Sequence, residues 1–239
     1  MEEQSLELAG LSTIVVGDPA TAEIVVVLLH GFAMEPGDLS PFAHSLGVPG
    51  LFLFPRGPLT ASLDGRVPTG RAWWATDPVA RARSLALGPR DFADEHPIGL
   101  PEARATLNRF LDEARELDPR LRDRRTVVGG FSQGGMVACD AFLHQPRPLA
   151  GLVLLSSSRI AFDEWRPLLA DRGPALRGLP VFASHGRADS DLSFASGERL
   201  RDCLADAGAQ VTWVPFDEGH QVPLVVWRRL RAFLSSTAR

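Results

Sequence analysis

A serine flanked by glycines stands near the middle of the chain and is the residue best suited to covalent chemistry. Gly130–Gly134 reads G-x-S-x-G, with Ser132 at its centre, between an apolar run at 126–129 and another at 134–143. This spacing is typical of a sharp strand-to-helix turn, in which small residues two positions before and after the serine avoid collisions. A helix that begins after the serine would direct its positive dipole end at a developing oxyanion. We therefore predict that Ser132 is a nucleophile, and a glycine-rich loop is the alternative interpretation of this motif.

The base that would activate this serine must be a histidine further along the chain. A serine hydroxyl is a weak nucleophile until a base accepts its proton. Two histidines follow Ser132 at predicted strand ends: His185, within SHGRAD, and His220, at the end of DEGH. Where a G-x-S-x-G serine works in a triad, the chain order is serine, acid, histidine. The base then comes after the acid, so the sequence favours His220, and we expect His185 to fix its loop through hydrogen bonds.

The third member of such a triad is an acid that holds the imidazole in the correct tautomer and stabilises its protonated form. Asp189 follows an apolar run at 181–184, in a loop that could reach the imidazole of His220. Asp191 lies two residues further on, and Asp217 precedes the histidine by three positions. The sequence favours Asp189, with Asp191 as the main alternative and Asp217 as the second.

The oxyanion hole of such a site needs two backbone N–H groups. One is the N–H after the nucleophile, which belongs to Gln133, and the other comes from the loop after an early buried strand. That loop begins with His30 and continues through Gly31 to Phe32. We predict the N–H of Phe32 as the second donor, with Ala33 as the neighbour that could replace it, and expect the His30 ring to brace the loop.

The elements that must position these residues follow an alternating pattern. Short β-branched runs alternate with longer segments of helical spacing, which predicts βαβ units around a parallel sheet. The run IVVVLL at 24–29 is continuously apolar, as expected for a central strand covered on both faces. The predicted fold class is α/β, an α/β-hydrolase fold with a central, mostly parallel sheet and helices on both faces. The predicted strands are 24–29, 51–54, 126–129, 152–155, 181–184 and 211–214, and the predicted helices are 37–46, 101–117, 134–143, 197–207 and 222–234.

The chain length sets the expected domain organisation. A chain of 239 residues fits one α/β domain, and we predict that 1–239 forms a single α/β-hydrolase domain. Two segments interrupt the alternation, near 55–100 and near 159–178, and we expect both to form short cap-like excursions. The first is rich in Pro, Gly and Arg in its early part and contains Trp73 and Trp74. Long loops in compact domains are usually functional or mobile.

The composition excludes several kinds of chemistry. The sequence has no lysine and no tyrosine, so a Schiff-base enzyme, a Ser-Lys dyad and a phosphate-binding loop of the Gly-Lys-Ser/Thr type are excluded. The net charge of −4 comes from scattered charges, whereas nucleic-acid binding needs a clustered basic face. There is no His-Glu-x-x-His and no Cys/His set with zinc spacing. We therefore expect no nucleic-acid partner, no metal and no cofactor.

The cysteines and the apolar runs bear on where the protein resides. Cys139 and Cys203 are the two cysteines, and we interpret them as reduced core thiols rather than a disulfide. The N-terminus lacks a charged-then-apolar signal pattern. The longest apolar run, 24–29, is too short to span a bilayer. The expectation is a cytoplasmic protein without stable membrane insertion, and the sequence does not indicate an oligomeric state.

Five short segments together resemble a known family. In order and spacing, over roughly residues 24–236, the chain is similar to the phospholipase/carboxylesterase and acyl-protein thioesterase family of α/β hydrolases. The segments are LLHGF (Leu28–Phe32), RAWW (Arg71–Trp74), GGFSQGG (Gly129–Gly135), SHGRAD (Ser184–Asp189) and EGH (Glu218–His220). The resemblance implies a triad of Ser132, Asp189 and His220, with oxyanion N–H groups at Phe32 and Gln133. It also implies a broad esterase that needs no metal or cofactor.

The chain departs from the family pattern at three places. Phe32-Ala33-Met34 replaces the usual leucine-glycine-aspartate run after the first His-Gly, which affects the expected shape of the acyl pocket. Ser190–Ser193 replaces a valine-valine-proline-like run after the acid, which keeps Asp191 open as an alternative. The segment Val79–Leu100 is longer than usual. We predict that Phe32, Met34, Trp73 and Trp74 line the acyl pocket.

These observations predict a serine carboxylesterase that hydrolyses small to medium acyl esters through an acyl-enzyme on Ser132. The partner expected is a small-molecule ester. A thioesterase or a lysophospholipase of the same family is the alternative, because these reactions pass through the same kind of acyl-enzyme as ester hydrolysis. A C–C hydrolase or lyase with the same triad is a third possibility. A binding protein that kept the fold without catalysis would not need all three triad members in order.

Overall fold

The central feature of the protein is a twisted sheet of eight strands, seen in a computed structural model that describes residues 3–171 and 173–238. A separate two-stranded ribbon lies outside it. The strands are β1 (Glu3–Leu8), β2 (Leu11–Val16), β3 (Ile24–Leu29), β4 (Gly50–Pro55), β5 (Leu59–Ala61), β6 (Gly70–Ala72), β7 (Arg125–Phe131), β8 (Gly151–Leu155), β9 (Pro180–Gly186) and β10 (Gln210–Phe216).

The strand order confirms the predicted α/β-hydrolase fold. The sheet runs β1-β2-β4-β3-β7-β8-β9-β10. The six strands from β4 to β10 in this order pair in parallel, whereas β2 is antiparallel to both β1 and β4. Every residue of β3, β4 and β8 is buried. Parallel strands covered on both faces have such continuous apolar runs, because no side of them faces water.

Helices cover both faces of the sheet and form two separate cores. Alternate residues of β3 point to opposite faces, so Val25 and Val27 join one apolar cluster and Val26 joins the other. The first cluster contains the buried faces of α3, α4, α5 and α7, and the second contains those of α1 and α8. The helices are α1 (Ser40–Leu46), α2 (Pro78–Ala86), α3 (Leu100–Glu116), α4 (Gln133–His144), α5 (Phe162–Asp171), α6 (Gly173–Leu176), α7 (Phe194–Asp206) and α8 (Leu224–Thr237), with 3₁₀ turns at Pro36–Asp38 and Pro119–Leu121.

Several elements have no counterpart in the sequence prediction. The hairpin of β1 and β2 adds two antiparallel strands at one edge, and its turn places Ala9 and Gly10 at positive φ of 51° and 75°. Asn-Gly in this turn would have indicated a hairpin in the sequence. Alanine is not typical of such a turn and so does not indicate one. The first excursion contains the ribbon of β5 and β6 and the helix α2. Helix α2 has no buried residue, and Val79 and Leu85 are its only large apolar side chains.

The second excursion consists of α5 and α6, within the segment predicted to leave the sheet. Pro167 lies inside α5, whose buried residues are Trp165 and Leu169.

Among the residues that the structure describes, none of the helices combines the length and the apolar character that crossing a bilayer requires.

Candidate active site

Ser132 stands at the turn between β7 and α4, in a strained backbone conformation. Its φ and ψ are 52° and −119°, a region that a residue with a side chain adopts only when the surrounding structure imposes it. Its N–H donates to Leu155 O at 2.8 Å. A Cβ at Gly130 or Gly134 would lie 2.5 Å or 2.4 Å from Leu29 O. The two glycines are therefore required by the close passage of β3, and the turn holds the serine side chain at the carboxyl edge of the sheet.

Ser132, His220 and Asp189 form a continuous chain of hydrogen bonds. Ser132 Oγ lies 2.9 Å from His220 Nε2, and His220 Nδ1 lies 2.7 Å from Asp189 Oδ2. In the tautomer that donates from Nδ1 to the carboxylate, Nε2 is free to accept the serine proton. The Phe131 ring packs against the imidazole with 4.8 Å between ring centroids. The three residues come from the loops after β7, β9 and β10, so the parallel sheet brings them to one edge.

Asp189 is held ionised by its surroundings. It is 4% exposed, and burial alone would raise its pKa, but hydrogen bonds with His185 and His220 and the N–H of Leu192 outweigh this and lower the pKa below its usual range. The N–H groups of Asp191 and Leu192 donate to Asp189 Oδ1 at 2.8 and 2.9 Å. The carboxylate is therefore a fixed acceptor for the imidazole N–H at neutral pH.

The structure separates the other candidate residues from this chain of hydrogen bonds. The Asp191 carboxylate forms ion pairs with Arg81 and Arg90. The Asp217 side chain is 94% exposed and lies 3.5 Å from the Arg187 guanidinium. His185 is buried behind the acid, with its Nε2 3.1 Å from Leu192 O and 3.3 Å from Asp189 Oδ2. Asp189 is thus the carboxylate that reaches His220.

Two backbone N–H groups beside Ser132 have no acceptor within the described part of the chain. They belong to Phe32 and Gln133, the residues predicted as oxyanion donors. The N–H of Ala33, the alternative donor, instead donates to Arg71 O at 2.8 Å. Gln133 is the first residue of α4, where a backbone N–H has no acceptor within the helix. Two N–H groups without acceptors beside a serine hydroxyl are suited to an oxyanion.

Side chains around these donors fix the loops that carry them. The Gln133 side chain accepts the N–H of Trp73 at 2.9 Å and donates to Trp74 O at 3.3 Å, a role that sequence reasoning missed. His30 braces its loop, with Nδ1 2.7 Å from Gly31 O and Nε2 accepting the N–H of Gly57 at 2.9 Å. Burial lowers the pKa of His30, so its Nε2 stays an acceptor.

The cavity next to Ser132 is lined by two of the four residues predicted for the acyl pocket. These two are Phe32 and Trp74. Trp73 does not, because it is 1% exposed within the core and its indole N–H donates to His30 O at 2.9 Å. Met34 does not either, because it packs against the core on the other side of the sheet. The lining residues are Phe32, Trp74, Thr76, Arg81, Arg90, Phe92, Ser132, Gln133, Met136 and Leu192.

A mostly parallel sheet with a serine on a strained strand-to-helix turn at its carboxyl edge defines a hydrolase of the α/β-hydrolase class. The comparison with known families agrees with this class. The chain belongs to the phospholipase/carboxylesterase family, whose profile matches residues 12–238. This is a family of serine hydrolases, so the chain is classed as an enzyme of the carboxylic ester hydrolase type.

Individual relatives are similar over different shares of the chain. The chain is 38% identical to acyl-protein thioesterase 1 of Mycosarcoma maydis over 96 residues. The match covers 38% of this chain and 37% of that protein. It is 28% identical to the putative hydrolase MhqD of Bacillus subtilis over 218 residues, 86% of this chain and 89% of that protein. The fold of Zea mays acyl-protein thioesterase 2 matches with a TM-score of 0.76 and 21% identity, covering 95% of this chain and 99% of that one.

Proposed function

We propose that the protein is a carboxylesterase that hydrolyses small to medium acyl esters through an acyl-enzyme on Ser132. The observation that carries the proposal is the hydrogen-bonded chain from Asp189 through His220 to Ser132. It ends beside two backbone N–H groups that have no acceptor among the described residues. A nucleophile, a base, an orienting acid and an oxyanion site are the parts that acyl transfer needs.

The geometry supports a defined role for each group. His220 Nε2 accepts the proton of Ser132 Oγ as the oxygen attacks the ester carbonyl, and the N–H groups of Phe32 and Gln133 stabilise the negative charge that forms on the carbonyl oxygen. The protonated imidazole then donates its proton to the departing alcohol. A water molecule repeats the same steps on the acyl-enzyme and releases the acid. Asp189 stays ionised throughout and holds the imidazole in position.

A thioesterase is the second candidate, because relatives of this chain are named acyl-protein thioesterases. Both reactions pass through the same acyl-enzyme, so the triad residues do not separate them. The rate-determining step can differ, since a thiolate is a better leaving group than an alkoxide. A kinetic comparison of an ester with its matched thioester, of the same acyl chain, would decide between the two.

We propose two further points about residues 1–239. Residues 1–239 form one α/β-hydrolase domain, which is consistent with cores that run through α1, α3, α4, α5, α7 and α8 on one continuous sheet. A cytoplasmic location is consistent with Cys139 and Cys203, which are free thiols, since reducing compartments keep thiols unpaired.

Replacing Ser132 with alanine tests the proposed function directly. We expect Ser132→Ala to reduce kcat on 4-nitrophenyl butyrate by roughly four to six powers of ten, because triad members act as a unit. Ser190→Ala is the matched control, since Ser190 is an exposed serine in the loop of Asp189, and it should keep its activity. Retention of more than about a tenth of the wild-type rate by Ser132→Ala, with a normal circular dichroism spectrum, would refute the nucleophile assignment.

A further inference from the structure

Two arginines line the cavity next to Ser132, where an esterase for purely apolar acyl chains would have apolar side chains. Arg81 comes from α2 and Arg90 from the segment that follows it. Both lie against the same cavity as Ser132, Phe32 and Trp74. Their side chains are only 15% and 14% exposed. These two guanidiniums are the charged groups that line this cavity.

The charge of the two guanidiniums is only half balanced. Both pair with a single carboxylate, that of Asp191. The Nε–H groups of Arg81 and Arg90 are buried and have no hydrogen-bond acceptor in residues 3–171 and 173–238. One positive charge is therefore left over at the cavity next to the nucleophile. A buried cation without a full set of partners is costly, because it has lost its hydration.

The other acidic groups near this cavity do not remove that excess. The adjoining cavity is lined by Asp77, Asp91 and Glu95. Asp91 already pairs with Arg199 at 2.7 Å. The Asp77 carboxylate caps α2 by accepting the N–H of Val79 at 2.8 Å, and both Asp77 and Glu95 are exposed to water. None of the three forms an ion pair with Arg81 or Arg90 among the described contacts.

The two guanidiniums are also held in fixed orientations. Arg81 lies over the Phe32 ring at 5.7 Å from its centroid, and Arg90 lies over the Phe92 ring at 4.7 Å. The backbone of Arg90 pairs with the loop after Asp189, since its N–H donates to Asp191 O at 2.9 Å. Planar guanidiniums that are stacked and fixed in this way are suited to recognising carboxylate or phosphate oxygens.

We infer that Arg81 and Arg90 form an anion subsite, so that the preferred substrate is an ester or thioester carrying a carboxylate or phosphate close to its scissile carbonyl. The inference rests on the proposed function and specifies its substrate class. An anion placed in the cavity would balance the excess charge of the two guanidiniums. An apolar chain in the same place would leave that charge desolvated and without a counter-ion.

The test compares matched anionic and neutral substrates on both sides of the ester bond. In the first pair, mono-4-nitrophenyl adipate carries a carboxylate on its acyl side, and 4-nitrophenyl hexanoate is its neutral match. In the second pair, 4-butanoyloxybenzoate carries a carboxylate on its alcohol side, and its methyl ester is the neutral match. For at least one pair we expect the wild type to show a kcat/KM ratio of about tenfold or more in favour of the anion, because charged hydrogen-bonded pairs in desolvated sites contribute strongly.

Variants of the charged groups show whether the arginines produce this preference. Arg81→Gln and Arg90→Gln should each lower the anionic-to-neutral ratio by about tenfold, while hydrolysis of the neutral ester changes by only a few fold. Asp191→Asn should raise the ratio, because it releases both guanidiniums from their shared carboxylate. Arg83→Gln is the matched control on the same helix, since Arg83 is exposed and outside the cavity, and its ratio should equal that of the wild type.

Two results would overturn the inference, and they are distinguishable. The wild type could hydrolyse neutral and anionic esters with equal kcat/KM, or every arginine variant could lose kcat/KM on both esters in the same proportion. Either result would show that the arginines only fasten α2 to the Asp189 loop. If the wild type hydrolyses no ester or thioester at all and Ser132 does not react with a fluorophosphonate, the proposed function fails and the subsite inference fails with it.

Discussion

At the scale of single residues, the Asp189 carboxylate joins the candidate site to the core. Its Oδ2 lies between His220 Nδ1 and the Nε2 of buried His185, and its Oδ1 accepts two backbone N–H groups. A carboxylate with this many donors is stabilised in its ionised form. We expect its role to be that of an orienting group, which acts on the serine only through the imidazole.

The pair Asp189→Asn and Asp191→Asn tests which acid serves His220. Asparagine keeps the shape of the side chain but favours the wrong imidazole tautomer, so Asp189→Asn should lower kcat on a neutral ester by about four powers of ten. Asp191→Asn should lower it by about tenfold at most, because Asp191 contacts arginines rather than the histidine. Steady-state kinetics of both variants measures the difference. Equal losses in the two variants would contradict the assignment of Asp189.

Phe32 combines two proposed functions in one residue, since its N–H has no acceptor among the described residues and its side chain lines the cavity. The wild type should be most efficient on short to medium acyl chains. Each buried methylene of the substrate stabilises the bound state by about 0.8 kcal/mol, but only until the chain reaches the end of the cavity. Phe32→Ala opens volume without removing the N–H, so the optimum of kcat/KM against chain length should move to longer chains. A wild type that already prefers long chains would contradict this and favour a lysophospholipase or protein thioesterase.

At the scale of elements, the site depends on how closely β3 passes the turn between β7 and α4. A Cβ at Gly134 would lie 2.4 Å from Leu29 O and 2.6 Å from His30 O. Both contacts are to backbone, which does not yield as the end of a flexible side chain would. The strand that leads to Phe32 therefore packs directly on the helix that begins at Gln133.

Gly134→Ala should accordingly disturb both stability and catalysis. We expect the free energy of unfolding to fall by about 1–3 kcal/mol or more, because overpacking forces the backbone to shift. The residual folded enzyme should also lose kcat, since the two oxyanion N–H groups would move apart. Gly37→Ala is the control, because a Cβ at Gly37 would have no atom of residues 3–171 or 173–238 within 4 Å and the φ of this residue is not positive. Urea denaturation that shows the same midpoint for both variants would refute the steric argument.

Helix α2 shows how an element can be held by its ends and by charge rather than by a core. It buries no residue, begins with an Asp77 cap and Pro78, and contributes Arg81 to the pair with Asp191. Its position over the cavity therefore depends on the same contacts that define the inferred anion subsite. Changes in α2 should alter substrate preference more than global stability.

At the scale of the whole molecule, the two cysteines lie away from the chemistry. Cys139 is buried in α4, and burial raises the pKa of the Cys203 thiol to about 12. A thiol with such a pKa stays protonated at neutral pH, and the thiolate is the form that reacts.

Thiol reagents should therefore spare the enzyme, whereas serine reagents should not. At pH 8, iodoacetamide should leave esterase activity unchanged, and a fluorophosphonate should abolish it with label on Ser132, which intact-protein mass spectrometry followed by peptide mapping would locate. Cys203→Ala serves as the control for adventitious alkylation. Loss of activity with iodoacetamide in both the wild type and Cys203→Ala would show that the activity depends on another nucleophile.

Local spacing in the sequence was sufficient to predict much of this protein. The G-x-S-x-G motif, the buried run of β3 and the positions of α3, α4 and β7 through β10 were recognisable, because turn sterics and apolar periodicity act over a few residues. The same local rules failed for β1 and β2, because alanine stands in the turn that joins them. They also failed for α2, which buries no residue.

The tertiary structure decided the features that depend on residues far apart in the chain. It brought Asp189, not Asp191 or Asp217, within hydrogen-bond distance of His220. It placed Trp73 in the core while Trp74 lines the cavity. It also brought Arg81 and Arg90 beside Ser132, although about forty or more positions separate them in sequence. No local pattern predicts such contacts, because they follow from the register and packing of the whole sheet with its excursions.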